Sequence, residues 1–218
     1  VTGITDVTYD KIQQGRQGNL SKVLSNMEAA VGIKREQQLH TTLGVQLLLL
    51  PDNKDEIVQM GKELRRIGVD YFTIKPFSQH PQSRHILQVD YQEMLELEKE
   101  VRELQTDDYK VYFRVHSMQK LECRRCYEHC WALPFMVYMD AKGNLWPCIV
   151  FMGKEELKYG NINESSFVEI WEGDHRKKIM DYFMNMDLEA NCRELCRLDE
   201  MNGYLDQLKY PGEHVNFI

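Results

Sequence analysis

Val45-Gln46-Leu47-Leu48-Leu49-Leu50, closed by Pro51 and Asn53, holds apolar residues almost without alternation. That pattern predicts a strand buried on both faces, as in a parallel sheet. Upstream, Val23, Leu24, Met27, Ala30 and Val31 fall at helical spacing and predict a helix over residues 20–35. Downstream, Asn53 with Glu56 has the spacing of a capping box, and Ile57, Met60, Leu64 and Ile67 form one apolar helical face that ends at Gly68. A second short buried strand is expected over residues 70–74. Strand, helix, strand at this spacing is a right-handed parallel crossover.

The pattern repeats. A polar loop over residues 75–88 holds Pro76 and Pro81. It leads to a helix over residues 91–104, with Met94, Leu95, Glu98, Val101 and Leu104 at helical spacing, and then to a strand over residues 110–115. The charge run from Glu93 to Glu103 is the wet face of that helix. At the start, residues 1–5 look like the end of a strand, and Thr5 or Asp6 caps a short helix through Tyr9 and Ile12 that Gly15 and Gly18 break. These units belong to a barrel or an open sheet, in which ligands sit beyond the carboxyl ends of the strands. Gln46 within one strand, and Lys75, Ser78, Gln79 and His80 after another, are the polar groups placed to meet a ligand.

The chain of 218 residues is 43% hydrophobic and 28% charged, enough for one large core or two smaller ones. Its net charge of −7 argues against a nucleic-acid surface, which needs clustered Lys and Arg. No apolar run approaches the length of a membrane span and no charged-then-apolar leader opens the chain. The expected location is the cytoplasm, with no membrane partner.

Near Ser117 the pattern changes. Phe135, Val137 and Met139 alternate with Met136 and Tyr138, residues 140–144 make a turn with Gly143 at the position wanting a positive φ, and residues 145–149 return as the second strand of a hairpin. Cys130 precedes the hairpin and Cys148 lies near the end of its second strand. Residues 159–162 form a short extended link. Ser166 and Glu169 form a capping box for a helix bearing Phe167, Ile170 and Trp171; after Gly173, Asp174 starts another with Ile179, Met180 and Phe183 inward.

All six cysteines lie after residue 122. Disulfide frameworks belong mostly to small secreted domains, so thiols that bind metal are the better reading here. Cys192 and Cys196, four apart, would share one face of a helical turn. With Cys130 and Cys148 they offer one four-sulfur site, for zinc or for an iron–sulfur cluster; spacing alone does not separate the two. Cys123 and Cys126 are free, exchange in as ligands, or bind a second metal with His129. His80 and His85 read mainly as solvated loop histidines, Met152, Met180, Met184 and Met186 as core lining, and Trp146 and Trp171 as packing.

The Cys130–Gly143–Cys148 spacing, Gly143-Asn144-Leu145-Trp146-Pro147-Cys148, Tyr159-Gly160-Asn161-Ile162, Ser166-Phe167-Val168-Glu169-Ile170-Trp171 and the closing cysteine pair resemble the SPASM/twitch auxiliary-cluster domain of radical SAM enzymes. Family members more often have two residues between the closing cysteines, where this chain has Arg193-Glu194-Leu195. Gly3-Ile4-Thr5 through Thr8-Tyr9-Asp10-Lys11-Ile12 resembles the fourth barrel strand of that superfamily and its helix, and the segments around Gln46 and Lys75 resemble the fifth and sixth strands. The resemblance implies an α/β chain: residues 1–116 as the C-terminal half of a partial (β/α)6 barrel, and residues 117–218 as a small α+β SPASM/twitch domain with a β-hairpin. It implies an auxiliary [4Fe–4S] cluster on Cys130, Cys148, Cys192 and Cys196, with zinc as a possible replacement. Gln46 and Lys75 would lie near cofactor or substrate.

Family members also carry a Cys-x3-Cys-x2-Cys loop for the cluster that cleaves S-adenosylmethionine. Cys123, Cys126 and Cys130 have the reverse spacing, so the motif is absent. The expectation is a C-terminal part of a longer oxidoreductase whose N-terminal half holds S-adenosylmethionine and a second [4Fe–4S] cluster. Such an enzyme acts on a sugar or aminocyclitol alcohol, or on a peptide, and draws electrons from a flavodoxin or ferredoxin. The chain alone would not cleave S-adenosylmethionine. The competing expectation is a non-catalytic, zinc-binding α/β fragment.

Overall fold

Thr5 Oγ1 accepts a hydrogen bond from the Thr8 amide and so caps the first helix, α1 (Asp6–Gln13), as expected. The computed structural model describes residues 1–14, 18–84 and 86–213. Over these the chain divides into two units, Val1–Phe77 with Leu87–Glu122, and Ser78–Ile86 with Cys123–Ile218. Gly15 lies outside the described residues; Gly18, at φ 81°, precedes α2 (Asn19–Glu36). No helix among the described residues is long and apolar enough to cross a membrane.

The first unit is built on three parallel strands in the order β1 (Gly44–Leu49), β2 (Tyr71–Pro76), β3 (Lys110–Phe113). Between β1 and β2 runs α3 (Ile57–Ile67), whose Ile57, Met60, Leu64 and Ile67 are buried with Val45, Leu47, Leu49, Phe72 and Ile74 in one core. Gly68 ends α3 in the left-handed region, as read. The helix expected over residues 91–104 is divided into α4 (Tyr91–Leu95) and α5 (Leu97–Arg102). β3 is shorter than expected, because Arg114 leaves the extended region at φ −82°, ψ 58° and Val115 opens α6 (Val115–Gln119).

β1 departs from its expected burial. Val45, Leu47 and Leu49 face the core, whereas Gln46 and Leu48 do not, and Leu48 is 44% exposed. The helical cover lies on one face only; the opposite face carries the register row Gln46, Thr73, Tyr112 and the pair Leu48, Lys75. Residues 1–5 form no strand. They are held by isolated bonds, from the N-terminal ammonium to Gln46 O at 3.2 Å and from Asn53 Nδ2 to Thr2 O at 2.9 Å.

Asn53 and Glu56 do not form a capping box, because long-range partners take both. Asn53 is fully buried, its Oδ1 accepting from Leu50 N and its Nδ2 donating to Leu48 O as well as Thr2 O. Glu56 accepts from Ile4 N, Thr5 N and the hydroxyls of Thr5 and Thr8. Burial alone would push this carboxyl up, but the four bonds together hold it below the ordinary glutamate value.

In the second unit, β4 (Tyr138–Met139) and β5 (Asn144–Trp146) make the expected hairpin in shorter form. β6 (Gly160–Asn161) adds antiparallel to β5, so the extended link is a third strand. Gly143 sits at φ 81°, where a Cβ would meet Asn163 Nδ2 at 2.6 Å. The Ser166–Glu169 capping box forms and opens α7 (Phe167–Glu172). After Gly173 come α8 (Asp174–Met184), α9 (Leu188–Asn191) and α10 (Asp199–Lys209). Leu133, Leu145, Phe151, Tyr159, Ile170, Ile179, Phe183 and Met186 form the core. Trp146 is buried and donates Nε1–H to Asp140 Oδ2, while Trp171 stacks on Phe167 with the Arg176 guanidinium 3.6 Å from its centre.

Candidate metal centre

Cys130, Cys148 and the closing pair Cys192 and Cys196 are placed by three different local devices. Cys130 precedes a 3-10 turn (Leu133–Phe135), and Leu133 N donates to its carbonyl. Asn202 of α10, buried, donates Nδ2–H toward Cys130 Sγ at 3.8 Å and accepts from Ala132 N at 2.8 Å. Cys148 lies just beyond β5 in extended conformation and caps the turn Ile149–Phe151. Cys192 and Cys196 do not share a helical turn. α9 ends at Asn191, Cys192 is extended at φ −115°, ψ 150°, and the loop that follows carries both cysteines to α10.

These four sulfurs lie within electrostatic reach of one another, all half-buried and all free of disulfides. The Cys192 thiol is hydrogen-bonded to Cys196, and Cys196 acts electrostatically on both Cys130 and Cys148. Burial pushes the Cys130 thiol up to about 11 and raises Cys148 as well. The bond from Cys192 draws Cys196 down, helped by the Leu198 amide and the charges of Arg125 and Arg193, and Cys192 keeps the shared proton. Burial and mutual repulsion oppose ionisation of all four sulfurs at once, a cost that a bound cation would offset. An all-sulfur donor set suits zinc or an iron–sulfur cluster and not a hard cation. Among the described residues, no three His, Cys, Asp or Glu side chains form a ready single-ion site.

The groups supporting the cysteines carry little sequence signal. Arg125, between Cys123 and Cys126, donates to carbonyls around Cys192. Arg193 donates Nε–H to Ser78 Oγ at 3.3 Å, and Gln82 donates to Val150 O, beyond Cys148, at 2.6 Å. Ser78 therefore belongs with the cysteines in the second unit. Asn202 has no counterpart in any spacing rule. Cys123 and Cys126 are exposed, and His129 stands edge-on to Trp131 at 4.9 Å.

In the first unit, Lys75 lies within β2 and not after it, and its Nζ donates to Gln46 Oε1 at 2.8 Å. The structure thus joins these two residues on the open face of the sheet. Gln79 and His80 belong to the second unit, where His80 Nδ1 accepts from Gln82 N at 3.2 Å. His85 lies outside the described residues.

Residues 130–197 match the family model described as SPASM, the iron–sulfur cluster-binding domain. The matched segment contains all four neighbouring cysteines. No curated protein matches the chain.

Proposed function

We propose that this SPASM-bearing chain is the C-terminal part of a radical SAM oxidoreductase in which Cys130, Cys148, Cys192 and Cys196 hold an auxiliary [4Fe–4S] cluster. The observation that carries the reading is the gathering of four half-buried sulfurs inside the segment that matches a cluster-binding domain. With all its irons on cysteine, such a cluster supplies an electron acceptor for substrate oxidation and leaves no open position for substrate. The residues around it do the rest. Asn202 orients Cys130, and the Leu198 amide donates to Cys196 Sγ at 3.4 Å. Hydrogen bonds of this kind to sulfur, with restricted water access, tune a cluster's potential.

The three parallel strands are read as the C-terminal half of a partial (β/α)6 barrel. Its open face, with Lys75 bonded to Gln46, is where a barrel would meet cofactor or substrate. The preferred substrate is the alcohol of a sugar or aminocyclitol, ahead of a peptide, with a flavodoxin or ferredoxin as reductant in the cytoplasm. Cleaving S-adenosylmethionine takes the Cys-x3-Cys-x2-Cys loop and its own cluster. These 218 residues contain no such motif, so they are not expected to release 5′-deoxyadenosine by themselves.

Anaerobic reconstitution followed by iron and sulfide analysis tests the reading. The expected content is about four of each per chain, lost when any of the four cysteines is replaced by serine. Stoichiometric zinc without sulfide in anaerobically prepared protein would sink it. Release of 5′-deoxyadenosine by this chain alone would overturn the division of labour.

A further inference from the structure

The loop that carries Cys192 and Cys196 has neither helix nor strand to satisfy its backbone. Its carbonyls need donors from elsewhere. Arg125 supplies them: Nη1 donates to Leu188 O at 2.6 Å, and Nη2 donates to Arg193 O at 2.5 Å and to Cys192 O at 3.4 Å. One planar cation thereby ties the last helical turn before Cys192 to the residue after it. Arg124, its neighbour, turns outward to an exposed ion pair with Glu189, which contributes little. A lysine has no rigid fork with which to span three carbonyls.

We propose that Arg125 is the positioning residue of the cysteine site, fixing where the sulfurs of Cys192 and Cys196 stand and holding a positive charge beside them. The inference rests on the reading of these cysteines as cluster ligands, and it adds a division of labour within Arg125. Its fork sets geometry, and its charge favours the more negative, reduced state of whatever the sulfurs bind. Loss of the charge therefore lowers the reduction potential, while loss of the fork alone leaves the potential near its starting value and loosens the site.

The test uses the full chain, reconstituted anaerobically, with Arg125→Ala and Arg125→Lys. Iron release to a chelator is expected to be about 10- to 100-fold faster in both variants, the usual range for lost outer-shell support. The midpoint potential should fall in Arg125→Ala and stay near wild type in Arg125→Lys. A third arm needs no cluster: in metal-free protein, alkylation of Cys192 and Cys196 by iodoacetamide, read by mass spectrometry, should be faster in both variants. Hydrogen exchange across β1–β3 reports whether the rest of the fold is intact; if Arg125→Ala fails to fold, Arg125→Lys decides the geometric claim. Unchanged release and unchanged alkylation in the variants overturn the proposal. Wild-type protein that takes up no iron and sulfide overturns the cluster reading instead, and the alkylation arm then judges Arg125 by itself.

Discussion

Asp140 accepts from the Asn144 side chain, the Trp146 indole and the amides of Asn144 and Lys142. These bonds, that of Asn144 first, hold its carboxyl down to about 2, against 3.8 ordinarily. A carboxyl that binds its proton less readily when folded stabilises the fold above its unfolded value and loses that contribution as pH falls through the folded one. Acid unfolding followed by tryptophan fluorescence should therefore steepen between about pH 4 and pH 2. Asp140→Asn should flatten that limb, and an unchanged acid curve would contradict the assignment. Asn53 offers a second residue-level test: Asn53→Ala strands the Leu50 amide and the Leu48 carbonyl at a buried site. Urea unfolding should show a loss of at least about 2 kcal/mol. The four cysteines could be singled out from the sequence because their spacing is written along the chain. Asn202 and Arg125 could not, since their partners lie about seventy residues away and no local pattern marks them.

Two pairs with identical spacing, Asn53 with Glu56 and Ser166 with Glu169, illustrate what limits reading at the level of elements. Ser166 and Glu169 are exposed and find only each other, so the local motif forms. Asn53 and Glu56 lie where the N-terminal segment arrives, and distant backbone groups outcompete the cap. Ser166→Ala should accordingly cost about 1 kcal/mol in thermal or chemical unfolding. Gly143→Ala should cost about 1–2 kcal/mol or more, since an L residue at positive φ is strained and its Cβ would also strike Asn163. Hydrophobicity also misjudged β1 for a physical reason. Leu48 is as apolar as Leu47, and composition cannot report that the face it occupies leaves Leu48 44% exposed.

At the level of the molecule, metal loading and fold stability should couple in one unit only. On the proposed reading the ligands would come from Cys130 to Cys196, so removing the cluster from reconstituted protein should raise hydrogen exchange in β4–β6 and α8–α10 and leave β1–β3 unchanged. Equal deprotection of both units would show that the cysteines are not where the metal's stabilisation acts. The α/β character of the first unit was readable from its helical periodicities and apolar strand runs, though not the burial of β1, and the second unit's hairpin from its turn chemistry. How a polar loop would be divided between units was not readable, because Ser78 and Gln82 carry no pattern that names Arg193 or Val150 as partners.

That loop has a consequence for the ancestry and handling of the chain. Ser78–Ile86 belongs to the cysteine unit although the stretches on either side of it do not. The cysteine unit is therefore not a cassette. A splice or a truncation at Glu122 would carry off every thiol yet leave behind the side chains that grip Val150 and Arg193, much as a bookbinder who lifts out the last gathering leaves one of its threads sewn into the pages before it.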